Sequence, residues 1–137
     1  NCEIANKFTY QIREEEGVQS PAKTLALNSG SCRDFAALFM EACREMGLAS
    51  RFVSGYLHMP GNETGNATTH AWTEVYLPGP GWKGFDPTSG LITGNHHIPV
   101  AVARHPEAVP PVAGSFVGPA GQRPALTVSV RVSDLGV

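Results

Sequence analysis

Features that would assign a function at once are scarce in this chain of 137 residues. Lysine and arginine together number 10 and aspartate and glutamate 12, which leaves a formal net charge of −2. This balance offers no basic footprint for nucleic acid and no patch for an acidic membrane surface. No apolar run approaches the length of a membrane span, so we expect neither nucleic acid nor a membrane among the partners.

Cysteine is also rare, and its spacing excludes two common structural uses. Cys2, Cys32 and Cys43 are an odd number, and no CxxC pair occurs. They therefore form neither a disulfide framework nor a zinc-knuckle pattern. A reducing compartment is the simpler interpretation, so we expect a cytoplasmic protein. Because the chain starts at Asn1 rather than methionine, we expect a single domain, residues 1–137, that is part of a longer protein.

What the sequence does contain is the pattern of a folded domain, with 42% hydrophobic and 16% charged residues. Apolar residues three and four apart predict a helix that begins near Cys32 and stops at Gly47, with a face formed by Phe35, Leu38, Phe39, Ala42, Cys43 and Met46. Residues 20–27 are predicted to form a helix or turn, and residues 60–68 a loop. Strand signals predict five strands, at 51–57, at 70–77, in the short stretch before Pro87, at 100–103 and at 126–132. A helical first part followed by several strands predicts an α+β fold with a mostly antiparallel sheet.

The start of the predicted helix is the most informative position. Cys32 follows Asn28, Ser29 and Ser31, which are residue types that favour helix starts. A helix N-terminus carries about half a unit of positive charge, which favours a thiolate over a thiol. Cys32 is therefore the candidate nucleophile, with an inert buried cysteine as the alternative. Cys43 lies on the apolar face, and we interpret it as a core residue.

A histidine and an aspartate complete the candidate site. Of the five histidines, His70 stands at the start of a predicted strand, and Asp86 ends the next one. The short turn PGPG joins the two strands, and such a hairpin brings both side chains to the same end of the sheet. A carboxylate on one ring nitrogen and a thiol on the other is the arrangement that activates a cysteine. Adjacent His96 and His97 point to opposite faces of a strand, so we interpret them as a surface or loop pair and expect no metal.

Three stretches carry a resemblance to a known family: SGSCRDFAALF, GLASRFVSGYL and THAWTEVYLPGPGWKGFDPT. They resemble the transglutaminase-like superfamily, and most of all its bacterial cysteine protease branch. The resemblance is most specific from Gly30 to Thr88. It implies a papain-like α+β core in which the helix that carries the nucleophile packs on an antiparallel sheet. The family's catalytic order of cysteine, histidine and aspartate falls here on Cys32, His70 and Asp86.

The resemblance also implies a type of reaction. We expect acyl chemistry through a thioester, with a peptide or protein as substrate and no cofactor. Hydrolysis of a peptide or side-chain amide is favoured over transfer to an amine, as a transglutaminase performs. A non-catalytic peptide-binding module and an arylamine-acetyltransferase-like enzyme stay open as alternatives. Bacterial relatives often carry an amino-terminal β-rich domain, and we expect that part to be missing here.

Contacts for the oxyanion and the substrate are less clearly marked. The backbone N–H of Cys32 is one candidate donor. Papain-like enzymes place a glutamine shortly before the cysteine, whereas Gln19 lies in no such motif. The phenolic hydroxyl of Tyr10 is the candidate for a second donor. Tyr56 and Trp72 are candidates for the walls of the substrate cleft.

Overall fold

Short helices and strands alternate along the chain, with one long helix and one large sheet. The computed structural model describes residues 1–13, 15–58, 66–115, 117–119, 121 and 127–133. The helices are α1 (Cys2–Lys7), α2 (Pro21–Leu27) and α3 (Cys32–Glu45), with a 3-10 turn at Pro106–Ala108. The strands are β1 (Thr9–Tyr10), β2 (Ser29–Gly30), β3 (Ser50–His58), β4 (Asn66–Leu77), β5 (Gly81–Asp86), β6 (Leu91–Ile92), β7 (His97–Ala103) and β8 (Val130–Arg131). No helix in this part of the chain is both long and apolar enough to cross a membrane.

The large sheet is antiparallel, with the strand order β6-β5-β4-β3-β7. β3 and β4 pair along their full overlap, from Ser50 opposite Val75 to His58 opposite Ala67. β8 pairs with the beginning of β4, and β1 and β2 form a separate parallel pair ahead of α3. The predicted α+β class with an antiparallel sheet is therefore confirmed.

Helix α3 packs on the middle of this sheet. Cys32, Ala36 and Met40 form a buried apolar cluster with Phe52 of β3 and Ala71 of β4. A side-chain hydrogen bond strengthens the contact, because the hydroxyl of Thr73 in β4 donates to the Ala36 carbonyl at 2.7 Å. The small side chain of Ala36 lets the helix backbone approach the strand this closely.

The predicted apolar face of α3 is correct at Phe35, Leu38 and Cys43, which are buried, and wrong at its far end. Ala42 and Met46 are exposed to solvent. Spacing identifies which side of a helix is apolar, but it does not indicate how much of that side the neighbouring elements cover.

The strand predictions need correction at their ends. β4 begins at Asn66 rather than His70, because β3 continues to His58 and offers pairing partners to polar residues that were predicted to be loop. β7 begins at His97 rather than Val100. Of the strand predicted at 126–132, residue 126 lies outside the described residues, 127–129 form no strand, and only Val130–Arg131 pairs with β4.

Candidate active site

A buried carboxylate fixes the first turn of α3. Asp34 is fully buried, and its Oδ2 accepts hydrogen bonds from the backbone N–H of Ser31 at 2.8 Å and from the Ser31 hydroxyl at 2.9 Å. Its Oδ1 accepts from the backbone N–H of Gln19 at 2.7 Å and from the guanidinium of Arg13 at 2.9 Å. Because Ser31 directly precedes Cys32, these contacts hold the backbone at the start of the helix and therefore orient the thiol.

His70 and Asp86 come together from neighbouring strands. β4 and β5 pair with Thr73 opposite Phe85, and the hairpin brings His70 Nε2 to 3.0 Å from Asp86 Oδ2. Both side chains are buried. Since Nε2 faces the carboxylate, Nδ1 is the ring nitrogen left for another partner, and Cys32 is near enough for its charge to raise the pKa of His70. The structure thus pairs His70 with Asp86, whereas the completion of a triad by Cys32 stays a prediction.

The electrostatics of the pair favour a charged imidazole. Burial lowers the pKa of His70, but the hydrogen bond with Asp86 and the charges of Asp86 and Cys32 outweigh it and raise that pKa to about 9. Burial raises the pKa of the Asp86 carboxyl, but the hydrogen bond and charge of His70 hold it well below its usual range. At neutral pH an imidazolium therefore faces a carboxylate.

A second imidazole reaches the same carboxylate. His97 Nε2 lies 3.2 Å from Asp86 Oδ2, and the His97 side chain is 11% exposed. Its ring stands edge-on to Trp72, with the ring centroids 5.2 Å apart. Asp86 accepts two further hydrogen bonds, from the Ser89 hydroxyl at 3.0 Å and from the Thr88 backbone N–H at 2.9 Å.

The interpretation of His96 and His97 as a surface pair fits His96, which is exposed, and is wrong for His97. No sequence signal that we used could have found His97. In the sheet order β4 and β3 lie between β5 and β7, so the contact depends on how the ends of the strands come together. His70, Asp86 and His97 each offer a ligand atom within 4.8 Å of the others, which is an arrangement that a metal ion could use.

The surroundings of Tyr10, the candidate second oxyanion donor, differ from those of Gln19, which lies in no family motif. Tyr10 lies beside the thiol: burial raises the pKa of its hydroxyl, and the charge of Cys32 and a hydrogen bond with it add to the increase. The side-chain amide of Gln19 instead donates to the Ser29 carbonyl at 3.0 Å. Gln19 therefore supports the loop that precedes the helix, whereas the Tyr10 hydroxyl lies near the sulfur of Cys32.

The two candidates for the cleft walls occupy different surroundings. Trp72 is buried and packs against both imidazoles, with its ring centroid 6.2 Å from that of His70. Tyr56 is half-buried and lines a small cavity of about 60 Å³ together with Ser54, Thr69 and Pro110. Trp72 therefore belongs to the interior of the site, and Tyr56 lies on an accessible depression of β3.

Sequence comparisons identify relatives of this chain. A model of the transglutaminase-like superfamily matches residues 2–87. An uncharacterized protein of Mycobacterium tuberculosis is 36% identical over 120 residues, which are 81% of this chain and 38% of that protein. A peptide-N(4)-(N-acetyl-beta-glucosaminyl)asparagine amidase of Rattus norvegicus is 31% identical over 77 residues, which are 56% of this chain and 9% of the amidase.

A structural comparison agrees with these matches. The crystal structure of a candidate cysteine protease from Cytophaga hutchinsonii has a TM-score of 0.62 and 28% identity, and the match covers 76% of this chain and 34% of that one. The predicted papain-like core, with its helix packed on an antiparallel sheet, is thereby confirmed. The chain spans less than two fifths of the length of the mycobacterial relatives. It belongs to the transglutaminase-like superfamily.

Proposed function

We propose that this chain is a cysteine-dependent amide hydrolase, a protease or an amidase. Cys32 is the nucleophile, His70 the general acid and base, and Asp86 the carboxylate that orients His70. The observation that carries the proposal is the position of His70. Its Nε2 is held by a buried carboxylate at 3.0 Å, and Cys32 at the start of α3 is near enough for its charge to raise the pKa of the ring.

The reaction proceeds in two halves. The Cys32 thiolate attacks the carbonyl carbon of an amide, and a C–S bond forms while the oxygen becomes an oxyanion. The backbone N–H of Cys32 and the hydroxyl of Tyr10 donate hydrogen bonds to that oxyanion. As the C–N bond breaks, His70 gives its proton to the leaving amine, and a thioester remains. Neutral His70 then takes a proton from the water that attacks the thioester, and the C–S bond breaks to release the acid.

Hydrolysis is favoured over amine transfer on two grounds. A thioester that water can reach hydrolyses by default, whereas a transferase must exclude water from it. Trp72, the residue best suited to wall off the thioester, is buried against the imidazoles. Two relatives are named as an amidase and as a candidate cysteine protease, which supports the same reaction class. Amine transfer to a protein glutamine is the second candidate.

The domain organisation is part of the same proposal. All three proposed catalytic residues lie on α3, β4 and β5, and the matched mycobacterial relative is much longer than this chain. We therefore propose that residues 1–137 are one catalytic domain of a longer protein. Its partner in the reaction is a peptide or protein substrate.

One assay distinguishes the candidate reactions. The chain is incubated with a glutamine-containing protein, a fluorescent primary amine and a chelator, and both amine incorporation and the release of ammonia or fragments are followed. We expect release to exceed incorporation and Cys32→Ala to abolish both. Strong incorporation with little release would identify a transglutaminase. Neither product, together with no selective alkylation of Cys32, would reject the enzyme in favour of the binding module.

A further inference from the structure

We propose that His97 is a positioning residue for the same reaction, and that it holds Asp86 in the orientation in which this carboxylate supports His70. This role rests on the proposed function, because it has meaning only if Asp86 and His70 act in the reaction. His97 lies outside the three stretches that relate the sequence to its family, which end at Thr88.

The hydrogen bonds of His97 define its tautomer. The backbone N–H of Gly94 donates to His97 Nδ1 at 3.3 Å. A ring nitrogen that accepts a hydrogen bond carries no proton, so the proton of the neutral imidazole is on Nε2. That nitrogen is the one that faces Asp86 Oδ2, and it therefore donates to the carboxylate. The backbone N–H of His97 donates in turn to the Gly94 carbonyl at 2.9 Å, which keeps the two residues together.

With His97 included, four donors surround Asp86 and restrict its rotation. Oδ2 accepts from His70, His97 and the Ser89 hydroxyl, and Oδ1 accepts from the Thr88 backbone N–H. Thr88 and Ser89 lie two and three residues after Asp86 in the chain, whereas His97 approaches from β7. His70 ties the carboxylate to the neighbouring strand β4, and His97 ties it to β7, which does not pair with β5. Its hydrogen bond also contributes to the low pKa of Asp86, after the larger effect of His70.

Packing holds the His97 ring in place. The ring meets Trp72 at an interplanar angle of 82°, and the His70 ring lies 6.0 Å from it, centroid to centroid. Gly55 makes room for this arrangement, because a Cβ there would lie 2.8 Å from the Trp72 ring. The titratable groups in contact with the Asp86 carboxylate, among the described residues, are His70 and His97. Cys32 interacts with His70.

A metal ion on the same three residues would need a different hydrogen-bond pattern. A histidine that ligates a metal through Nε2 donates a hydrogen bond from Nδ1. Here Nδ1 of His97 faces the N–H of Gly94, so a proton on Nδ1 would meet another donor. The observed contacts therefore fit a proton on Nε2 and a role in orientation.

The test compares variants by the rate at which iodoacetamide alkylates Cys32 between pH 5 and 9, with peptide mapping of the modified residue. We expect His97→Leu to slow the reaction about tenfold at neutral pH, as for one lost hydrogen bond to a charged group. We expect the slowing at every pH of this range, because the lowered pKa of Asp86 keeps the carboxylate ionised throughout it. His97→Gln, whose amide N–H replaces Nε2–H, should stay within about threefold of the wild type. His96→Leu is the matched control and should leave the rate unchanged.

The outcomes separate this role from the proposed function. A wild-type rate and pH profile for His97→Leu, with Asp86→Asn slowed, would reject the role of His97 and leave the function standing. Unchanged rates for both Asp86→Asn and His70→Ala would reject the function itself. If His97→Leu and His97→Gln slowed the alkylation of Cys32 equally, His97 would be only a structural residue and the proposed positioning role would be rejected.

A measurement on the unmodified protein covers the case in which His97→Leu does not fold. Imidazole ¹⁵N NMR of the wild-type chain at neutral pH should show His97 with its proton on Nε2 and none on Nδ1. A proton on Nδ1 would overturn the proposal.

Discussion

At the scale of single residues, two cysteines of one helix have opposite surroundings. Cys32 stands at the start of α3 beside an imidazole, whereas burial among apolar residues raises the pKa of the Cys43 thiol. We predict that brief iodoacetamide treatment of the native chain at about pH 6 modifies Cys32 at least tenfold faster than Cys43. Peptide mapping measures both sites, and the urea-unfolded chain, in which the two should react alike, is the control. Equal labelling in the native chain would contradict the proposed site.

The proposed catalytic residues should differ in how completely their loss removes activity. Cys32→Ala should abolish turnover, and His70→Ala should do nearly the same. Asp86→Asn keeps the shape but disturbs the tautomer of His70, so we expect kcat/KM to fall by about 10²- to 10⁴-fold without reaching zero. The rate of ammonia or amine release from one amide substrate measures the activity of all three variants. If Asp86→Asn lowered the melting temperature and left kcat/KM unchanged, Asp86 would be only a structural residue.

Asp34 is the residue whose loss should most affect stability at the helix start. It is fully buried, pairs with Arg13, and accepts from the backbone N–H groups of Gln19 and Ser31. Asp34→Asn removes the charge that balances Arg13, and we predict a loss of about 3 kcal/mol in the free energy of unfolding. Urea denaturation measures it, with Glu45→Gln at the exposed end of the same helix as the control. A loss below about 1 kcal/mol would show that water compensates Arg13.

At the scale of secondary structure elements, the sequence predicted those that bury a regular pattern. α3 has an apolar stripe, and β3, β4 and β5 are rich in β-branched and aromatic residues, so each was found within a few positions of its ends. α1 was not predicted, because Ile4 is the one residue that its sequence buries. The polar start of β4 was missed since its strand conformation comes from pairing with β3 rather than from its own composition.

Among the residues of the candidate site, local sequence patterns likewise predicted some positions and missed others. His70 and Asp86 lie on the two strands of one hairpin, so local spacing was enough to place them together. Tyr10 was suggested as a donor, and its position depends on β1 pairing with β2 directly before Cys32. His97 is only 11 residues from Asp86 in the chain, but it joins Asp86 from a strand that does not pair with β5. Such a contact follows from sheet twist and loop path, which no local pattern encodes.

Pairing of β3 with β7 should depend on a single glycine. The register shifts between Ser54 and Gly55, and a Cβ on Gly55 would collide with the Ile98 carbonyl oxygen and with the Trp72 ring. We predict that Gly55→Ala lowers the free energy of unfolding by about 2 kcal/mol or more, since strand backbone cannot give way as a flexible side chain can. Urea denaturation tests it against Gly114→Ala, where a Cβ meets no atom within 4 Å. Equal stability of the two variants would show that β7 can move away from β3 at little cost.

At the scale of the whole molecule, the charge pair at the site couples the stability of the fold to pH. The pKa of His70 is raised from 6.5 to about 9 in the folded chain. A raised pKa means that the stabilising contribution is complete below the unfolded value of about 6.5 and is lost as pH rises through about 9. The lowered pKa of Asp86 reflects the same pair, and its contribution is lost instead as pH falls below the ordinary range of a carboxyl.

We therefore predict that the free energy of unfolding of the wild-type chain falls between pH 6 and pH 10 by more than that of His70→Gln. The difference should be on the order of 3 kcal/mol, because each unit of pKa shift corresponds to about 1.4 kcal/mol. Urea denaturation at pH 6, 8 and 10 measures both proteins, and groups that titrate in each cancel in the comparison. Most of the difference should appear between pH 7 and 9, since the linkage slope is confined to the interval between the unfolded and folded pKa values. Parallel curves for the two proteins would mean that His70 carries no extra proton in the folded state, and the imidazolium assigned to the resting site would then be wrong.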